Sequence, residues 1–295
     1  MQPNTPEDTA ASVLIVGGGP TGLVTSILLA RYGIRTTVVD RHKTVLSQPK
    51  AHAINPRSLE IFRQIGLDTQ RLRVAGAMPK DVANVSFATS MAGLELGSLP
   101  YERQGEDAKS ITPEPLFNIP QPNLQEFLAE AASASELVAI RKPYQWQSLK
   151  PTTDGKLVST IINRSSNREQ ELSADYVLFC DGANSQSRAK LGVTFSPLPG
   201  QSKKPLHHVS VHMRGDFSQF NPATLIFVIS PKSTGTFICY ERRSSWVFVF
   251  NYDPEELTAD QFKEDYCRSL IDQVGEFILG FGGQIPDTNN IGPRL

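Results

Sequence analysis

Apolar residues fall in two textures along this chain. The first opens with "SVLIVGG" (residues 12–18), a continuous apolar run rich in β-branched residues, the pattern of a strand buried on both faces. Glycines punctuate its end. "TGLVTSILLARYG" then sets Leu23, Ile27, Leu28 and Ala30 at helical spacing, with Gly33 suited to the position just past a helix end. "IRTTVVDR" is a second apolar strand. Strand, helix and strand within about 30 residues make a βαβ unit, which closes right-handed onto a parallel sheet. "PRSLEIFRQIGL" reads as a helix with Pro56 in its first turn, Leu59, Ile61 and Phe62 on its buried side and Gly66 at its end. From Val85 to Pro120 the pattern weakens into short segments and loops. "NLQEFLAEAASAS" is helical again, opened by Asn123 as N-cap. "KLVSTIINR" and "ELSADYVLFC" then read as strands, the second leading into an Asp-Gly turn.

After "LPGQSKKP" the texture changes. "LHHVSVHMRG", "TLIFVIS", "GTFICYE" and "SWVFVFNYD" read as strands of an antiparallel sheet separated by Pro, Gly and Ser turns. "TADQFKEDYCRSLIDQVG" reads as an amphipathic helix. The pattern predicts a Rossmann-like α/β nucleotide domain over residues 10–196 and a β-rich domain over 197–280, with the boundary near Pro197. Residues 80–118 or so contribute to the second domain, and 281–295 form an irregular tail.

Composition narrows the partners. The 295 residues carry a net charge of −1, which gives no electrostatic basis for a nucleic acid or an anionic membrane. The longest apolar runs fall short of the roughly 18 residues a membrane-spanning helix needs. "MQPNTPEDTAA" holds acids and no apolar core, so it reads as a frayed tail and not as a signal peptide. Three cysteines without CxxC spacing argue against disulfide or metal frameworks and for a reducing, cytoplasmic setting. His207, His208 and His212 share one predicted strand, but no carboxylate has the spacing to join them around a metal.

Gly17, Gly19 and Gly22 match GxGxxG where the first strand meets the first helix. The first glycine permits the turn, the second lets a pyrophosphate approach the backbone, and the third lets helix pack close on strand. Asp40 ends the next strand 23 positions after Gly17, where a carboxylate accepts ribose hydroxyls and repels a 2′-phosphate. The plainer reading is a packing turn with a solvated strand end. The site reads as a dinucleotide site, and at this point FAD and NAD are equally open.

The second turn, "FCDGANSQSR", could be an ordinary β-turn at Asp181-Gly182. It also resembles the DG motif of the flavin-dependent aromatic hydroxylases, the single-component FAD monooxygenases related to phenol and p-hydroxybenzoate hydroxylases. "QPKAHAINPRSLEIFRQIGL" resembles that family's PRAxxxxxRTMExxRxLGL segment, with Lys50 for the usual arginine and Arg57 at the arginine of RTME. "NIPQPNLQEFLAEAA" resembles its xxQxxLExxL helix start, with Gln125 where Glu is usual. "KAHAIN" is similar to the RAHxTN of the dichlorophenol-hydroxylating branch. The resemblance runs from about Ser12 to Val274.

It implies a glutathione-reductase-like FAD-binding domain with a β-rich substrate domain. Gly17, Gly19, Gly22 and Asp40 would hold the AMP half of FAD. Asp181 and Gly182 would sit near the pyrophosphate and ribityl, Gln121 and Arg57 would join the cofactor set, and Arg188 would lie near the path of the nicotinamide coenzyme. NAD(P)H would reduce the flavin, and O₂ would then be used to hydroxylate a phenolic or other aromatic ring. His52 lies in the segment expected beside the flavin ring, either as a base or acceptor for the phenol or as a positioning and packing residue. Phe227, Phe237, Tyr240 and Trp246 would line an aromatic pocket or form sheet core. The family's third motif, GDAAH followed by PxxGxGxN, does not occur before Leu295, so the chain looks C-terminally truncated, with a partner chain or a missing C-terminal half completing the flavin site. Two alternatives stand beside the hydroxylase: a catalytically inactive homologue that binds FAD weakly, and an NAD(P)-dependent dehydrogenase.

Overall fold

The structure is a computed structural model that describes residues 11–45, 50–101, 106–196, 207–230 and 234–275. Residues 1–10 and the tail expected at 281–295 lie outside them. In chain order the elements are β1 (Ala11–Val16), α1 (Pro20–Arg31), β2 (Thr36–Val39), β3 (Ala53–Ile54), α2 (Pro56–Gln64), α3 (Thr69–Val74), β4 (Asn84–Ala88) and β5 (Glu95–Pro100). Then come β6 (Phe117–Asn118), α4 (Gln121–Ser133), β7 (Val138–Arg141), β8 (Tyr144–Pro151), β9 (Leu157–Asn163), β10 (Glu169–Phe179) and α5 (Gln186–Lys190). β11 (His207–Met213), β12 (Leu225–Ile229), β13 (Thr234–Glu241), β14 (Ser245–Tyr252) and α6 (Glu264–Gly275) complete the set. The chain forms two compact units, one from residues 1–47, 61–69 and 122–197, the other from 48–60, 70–121 and 198–295.

The first unit is built on a six-stranded sheet ordered β7-β2-β1-β10-β9-β8. β7, β2, β1 and the second half of β10 run parallel, and β10, β9 and β8 form an antiparallel meander. β10 serves both parts: residues 169–174 pair with β9 and 174–179 with β1. The apolar runs of β1 and β2 are explained by their central place, where residues 13–16 and 36–39 are all buried. Trp146, Ile161 and Ala174 extend this core under the meander, and Trp146 meets Phe179 edge-to-face at 4.9 Å. α1 buries Gly22, Leu23 and Ser26. Leu28, expected on the buried side, is 37% exposed: two small residues face inward, and the Ser26 hydroxyl is satisfied by donating to the Leu23 carbonyl. The helix expected to open at Asn123 begins at Gln121, so Asn123 lies inside its first turn. β7 and β8 had no sequence expectation, because half-buried polar positions interrupt their alternation.

The second unit carries a six-stranded sheet ordered β11-β14-β13-β12-β4-β5. It departs from the expected antiparallel sheet at one junction, where β4 and β12 run parallel. β4 and β5 come from the stretch with the weakest pattern, since β5 is largely exposed and shows no alternation. One face packs Val211, Phe237, Trp246, Phe248 and Phe250 against Cys267, Ile271 and Val274 of α6. Phe237 and Trp246 are therefore sheet core, 0% and 1% exposed. Phe227 alternates to the other face, where it stacks on Phe87 at 5.3 Å. A short 3₁₀ turn at Ala259–Gln261 precedes α6 and takes up the first part of the longer helix expected there. A separate two-stranded ribbon pairs β3 with β6. Among the described residues, no helix is long and apolar enough to cross a membrane, and no group of three His, Cys, Asp or Glu side chains could hold a metal ion.

Candidate functional site

Two glycine-rich turns within one unit have a simple geometric basis. β1 and β10 are parallel neighbours, so the turns that follow them leave the same edge of the sheet side by side. The junction is tight. The Gly17 N–H donates to the Val39 carbonyl at 2.8 Å, and the Cys180 N–H donates to the Val16 carbonyl at 2.7 Å. Gly17 has φ +110°, and a Cβ there would run into the Cys180 carbonyl oxygen. At Gly22 a Cβ would overlap the Gly17 carbonyl oxygen. The protein's own packing requires both glycines.

Gly19 is different. A Cβ there would meet nothing within 4 Å. This residue is the N-cap of α1, which has no side-chain cap and no acidic residue in its first turn. The helix's own first turn thus supplies no acid to its dipole and N-terminal N–H groups, and the backbone at Gly19 is open, which fits the pyrophosphate of a dinucleotide.

The intervening Gly18 is pinned on both sides. Asp40, 8% exposed, accepts the Gly18 N–H at 2.7 Å through Oδ2 and the His42 N–H at 2.7 Å through Oδ1. Gln125 of α4 donates through Nε2 to the Gly18 carbonyl at 2.8 Å. Asp40 thus orders the loop, and only its remaining lone pairs are left for a ribose. Sequence reasoning placed Gln125 in the matching segment but assigned it no role; the signal was the amide where the related pattern has an acid.

In the second turn, Asp181 accepts from the Ser185 and Ser187 hydroxyls at 2.6 and 2.7 Å and from the Ser187 N–H at 3.1 Å. Partial burial opposes its ionisation, but these donors outweigh it and hold the carboxyl below the usual carboxylate range. Gly182 has φ +90° and open space around it. Arg188 donates to the Ala183 carbonyl at 2.8 Å and lies over the Phe195 ring at 4.3 Å. Burial and the neighbouring Asp181 push the Cys180 thiol up, so it stays protonated. The structure brings Gly17, Gly19, Gly22, Asp40, Asp181 and Gly182 together on this unit.

The other expected residues belong to the second unit. His52 precedes β3, and its carbonyl accepts the Ile119 N–H at 2.8 Å. Its ring meets Tyr240 edge-on, with centroids 5.6 Å apart. Nε2 of His52 is buried and has no hydrogen-bond partner among the described residues. Burial lowers the imidazole pKa and pushes the Tyr240 hydroxyl up to about 12. Gln121 opens α4 with its N–H held by the Ala51 carbonyl at 3.0 Å. Arg57, with a side chain 69% exposed, reaches Glu60 at 3.2 Å. Glu60 in turn accepts the Thr112 hydroxyl at 2.6 Å.

Comparison with known proteins decides between the two dinucleotides. The profile of the family described as "FAD binding domain" matches residues 10–279. The chain belongs to the FAD binding domain family. This family assignment fits FAD as the cofactor and sets aside the dehydrogenase alternative. Among curated relatives, 2,4-dichlorophenol 6-monooxygenase of Delftia acidovorans is 28% identical over 272 residues, covering 88% of this chain and 45% of that protein. Phenol 2-monooxygenase of Pseudomonas sp. strain EST1001 is 27% identical, over 76% of this chain and 35% of that protein. Among solved structures, the flavin-dependent monooxygenase PieE in complex with FAD and substrate aligns with TM-score 0.80 at 26% identity, over 94% of this chain and 50% of that one. A ternary complex of aklavinone-11 hydroxylase with FAD and aklavinone gives TM-score 0.78 at 25% identity, over 94% and 54%. The chain spans between 35% and 54% of the length of these relatives.

Proposed function

We propose that this FAD-binding chain serves a flavin-dependent monooxygenase that hydroxylates a phenolic ring with NAD(P)H and O₂ in the cytoplasm. The observation that carries the reading is the contrast among the three glycines. Gly17 and Gly22 are consumed by packing, while Gly19 offers open backbone at an uncapped helix N-terminus. In the first unit, Gly19 and the start of α1 would hold the pyrophosphate, and the spare lone pairs of Asp40 the adenosine ribose. Asp181 and Gly182 would lie along the ribityl. FAD, when bound, supplies the redox chemistry that links NAD(P)H to O₂.

The second unit would receive the phenol. His52, kept neutral by burial, would offer Nε2 as an acceptor for the phenolic O–H, and that hydrogen bond would raise the electron density of the ring without transferring the proton. Tyr240 keeps its own proton to about pH 12, so it can only donate or pack near neutrality. Support comes from the names of the relatives, which act on phenols and on the polycyclic aklavinone.

The test is a titration of the purified chain with FAD, followed by flavin fluorescence. Saturable binding is expected, together with a loss of at least about 100-fold in Gly19→Val, whose side chain would fill the pyrophosphate's space. Tight retention of NAD⁺ with no flavin affinity would overturn the reading.

A further inference from the structure

The β3–β6 ribbon of the second unit holds a polar side chain that the reading above leaves unused. Asn118, in β6, is 2% exposed, and neither its side-chain oxygen nor its nitrogen has a hydrogen-bond partner among the described residues. Its backbone is satisfied, the carbonyl accepting the Ala77 N–H at 2.9 Å. With His52 Nε2, its two atoms make up three of the five buried, unpartnered side-chain polar atoms found in the described residues. Asn118 is nevertheless separate from the contact between His52 and Tyr240. The register sets Asn118 opposite Ala53, and strand alternation then puts it on the other face of the ribbon from His52.

A buried polar group left without its hydrogen bond destabilises the fold, and native interiors leave few of them. Here one residue leaves two, where an apolar side chain of similar shape would leave none. The cost is understandable if a ligand completes the carboxamide. Ala53, the cross-strand neighbour on the same face, is exposed, whereas the carboxamide is buried, so a ligand would reach it by displacing what covers it. The carboxamide offers an acceptor and a donor side by side in one plane. A single hydroxyl meets one of them in line and the other at a poor angle. An amide or imide edge, itself a planar donor beside an acceptor, meets both.

We propose that Asn118 recognises the planar amide or imide edge of a bound ligand. The inference rests on the flavin-monooxygenase reading, which supplies two sources of such an edge: the imide of the FAD ring system and the carboxamide of the nicotinamide coenzyme.

The experiment compares each with an analogue whose edge is broken, by calorimetric titration of the full chain. 3-Methyl-FAD lacks the imide N–H. 3-Acetylpyridine adenine dinucleotide replaces the carboxamide with a methyl ketone and is compared with NAD⁺. In one of the two arms the wild-type chain should prefer the intact ligand by about tenfold, the order of one or two hydrogen bonds. Asn118→Leu should erase that preference while leaving the melting temperature of the ligand-free chain equal or higher. The wild-type comparison needs no variant, so it stands even if Asn118→Leu fails to fold. Equal affinities in both arms overturn the proposal. So does a preference that persists in Asn118→Leu, or a variant that loses only phenol binding. A wild-type chain that binds no flavin overturns the FAD reading itself, and this assignment with it.

Discussion

The two units differ in how the polar atoms at their candidate sites are satisfied, although among the described residues each also buries one unpartnered threonine hydroxyl, Thr36 in the first and Thr224 in the second. In the first, both Asp40 oxygens, the Asp181 carboxylate and both backbone groups of Gly18 have partners supplied by the chain. In the second, His52 Nε2 and the Asn118 carboxamide have none among the described residues. The first unit thus builds its turns before any ligand arrives, and a ligand needs only the one position left open. The second leaves its hydrogen-bonding capacity unspent, so part of its polar cost is settled only on binding. Stability should therefore follow the polar residues of the first unit, and ligand preference those of the second.

The largest effect should come from Gly22→Ala. Its Cβ would overlap the Gly17 carbonyl, a backbone atom that can move only if the whole junction with Cys180 opens. A loss above about 4 kcal/mol is expected, enough to prevent folding of the first unit. Gly19→Ala, which meets nothing within 4 Å, should unfold in urea within about 0.5 kcal/mol of wild type and still lose FAD affinity. Trp146 reports on the first unit and Trp246 on the second, so fluorescence of each separates the two transitions. Equal stability losses in the two glycine variants would erase the distinction between packed and open positions.

Asp40→Ala comes next. It removes the acceptor of one buried and one half-buried backbone N–H group, at a cost of about 2 kcal/mol in urea unfolding of the first unit. FAD affinity should fall as well, because the loop that presents Gly19 loses its anchor. A variant with full stability and weakened FAD binding would make Asp40 a ligand contact only. Gln125→Glu should have a smaller effect, about 1 kcal/mol, since an ionised carboxylate would face the Gly18 carbonyl where an N–H now donates. An unchanged unfolding midpoint would place the control of Gly18 with Asp40 alone.

What the sequence made legible follows the same division. GxGxxG, the β-branched runs and the acidic end of β2 are local signals, and they locate turns whose partners lie within one βαβ unit and the strand beside it. The neighbourhood of β1 and β10 was hinted at by two similar strand-turns, but Gln125 reaching Gly18 across 107 positions was not. The second unit draws strands from residues 84–100 and 207–252, and its exposed β5 has no period to read. His52 and Tyr240 meet across 188 positions, and no spacing rule encodes such a contact. Asn118 carried no sequence signal at all, because an orphaned amide is defined by what surrounds it.

The smallest expected effect tests whether His52 is held neutral. Burial lowers its pKa from the ordinary 6.5, and the ring beside it belongs to Tyr240, whose hydroxyl does not ionise below about pH 12. The unfolded chain therefore binds a proton at this site more readily than the folded chain. The sign follows: this contribution is fully present above pH 6.5 and is lost as pH falls through the lower, folded-state value. Urea unfolding of the second unit, followed through Trp246, should weaken as pH falls below 6.5 in the wild type. His52→Leu keeps an apolar body against Tyr240 and has no proton to bind, so its midpoint should change less over the same range. Parallel curves would mean that the imidazole is solvated in the folded protein. Nε2 would then be no buried acceptor, and the contrast between the self-satisfied turns of the first unit and the unspent side chains around the β3–β6 ribbon would rest on Asn118 alone.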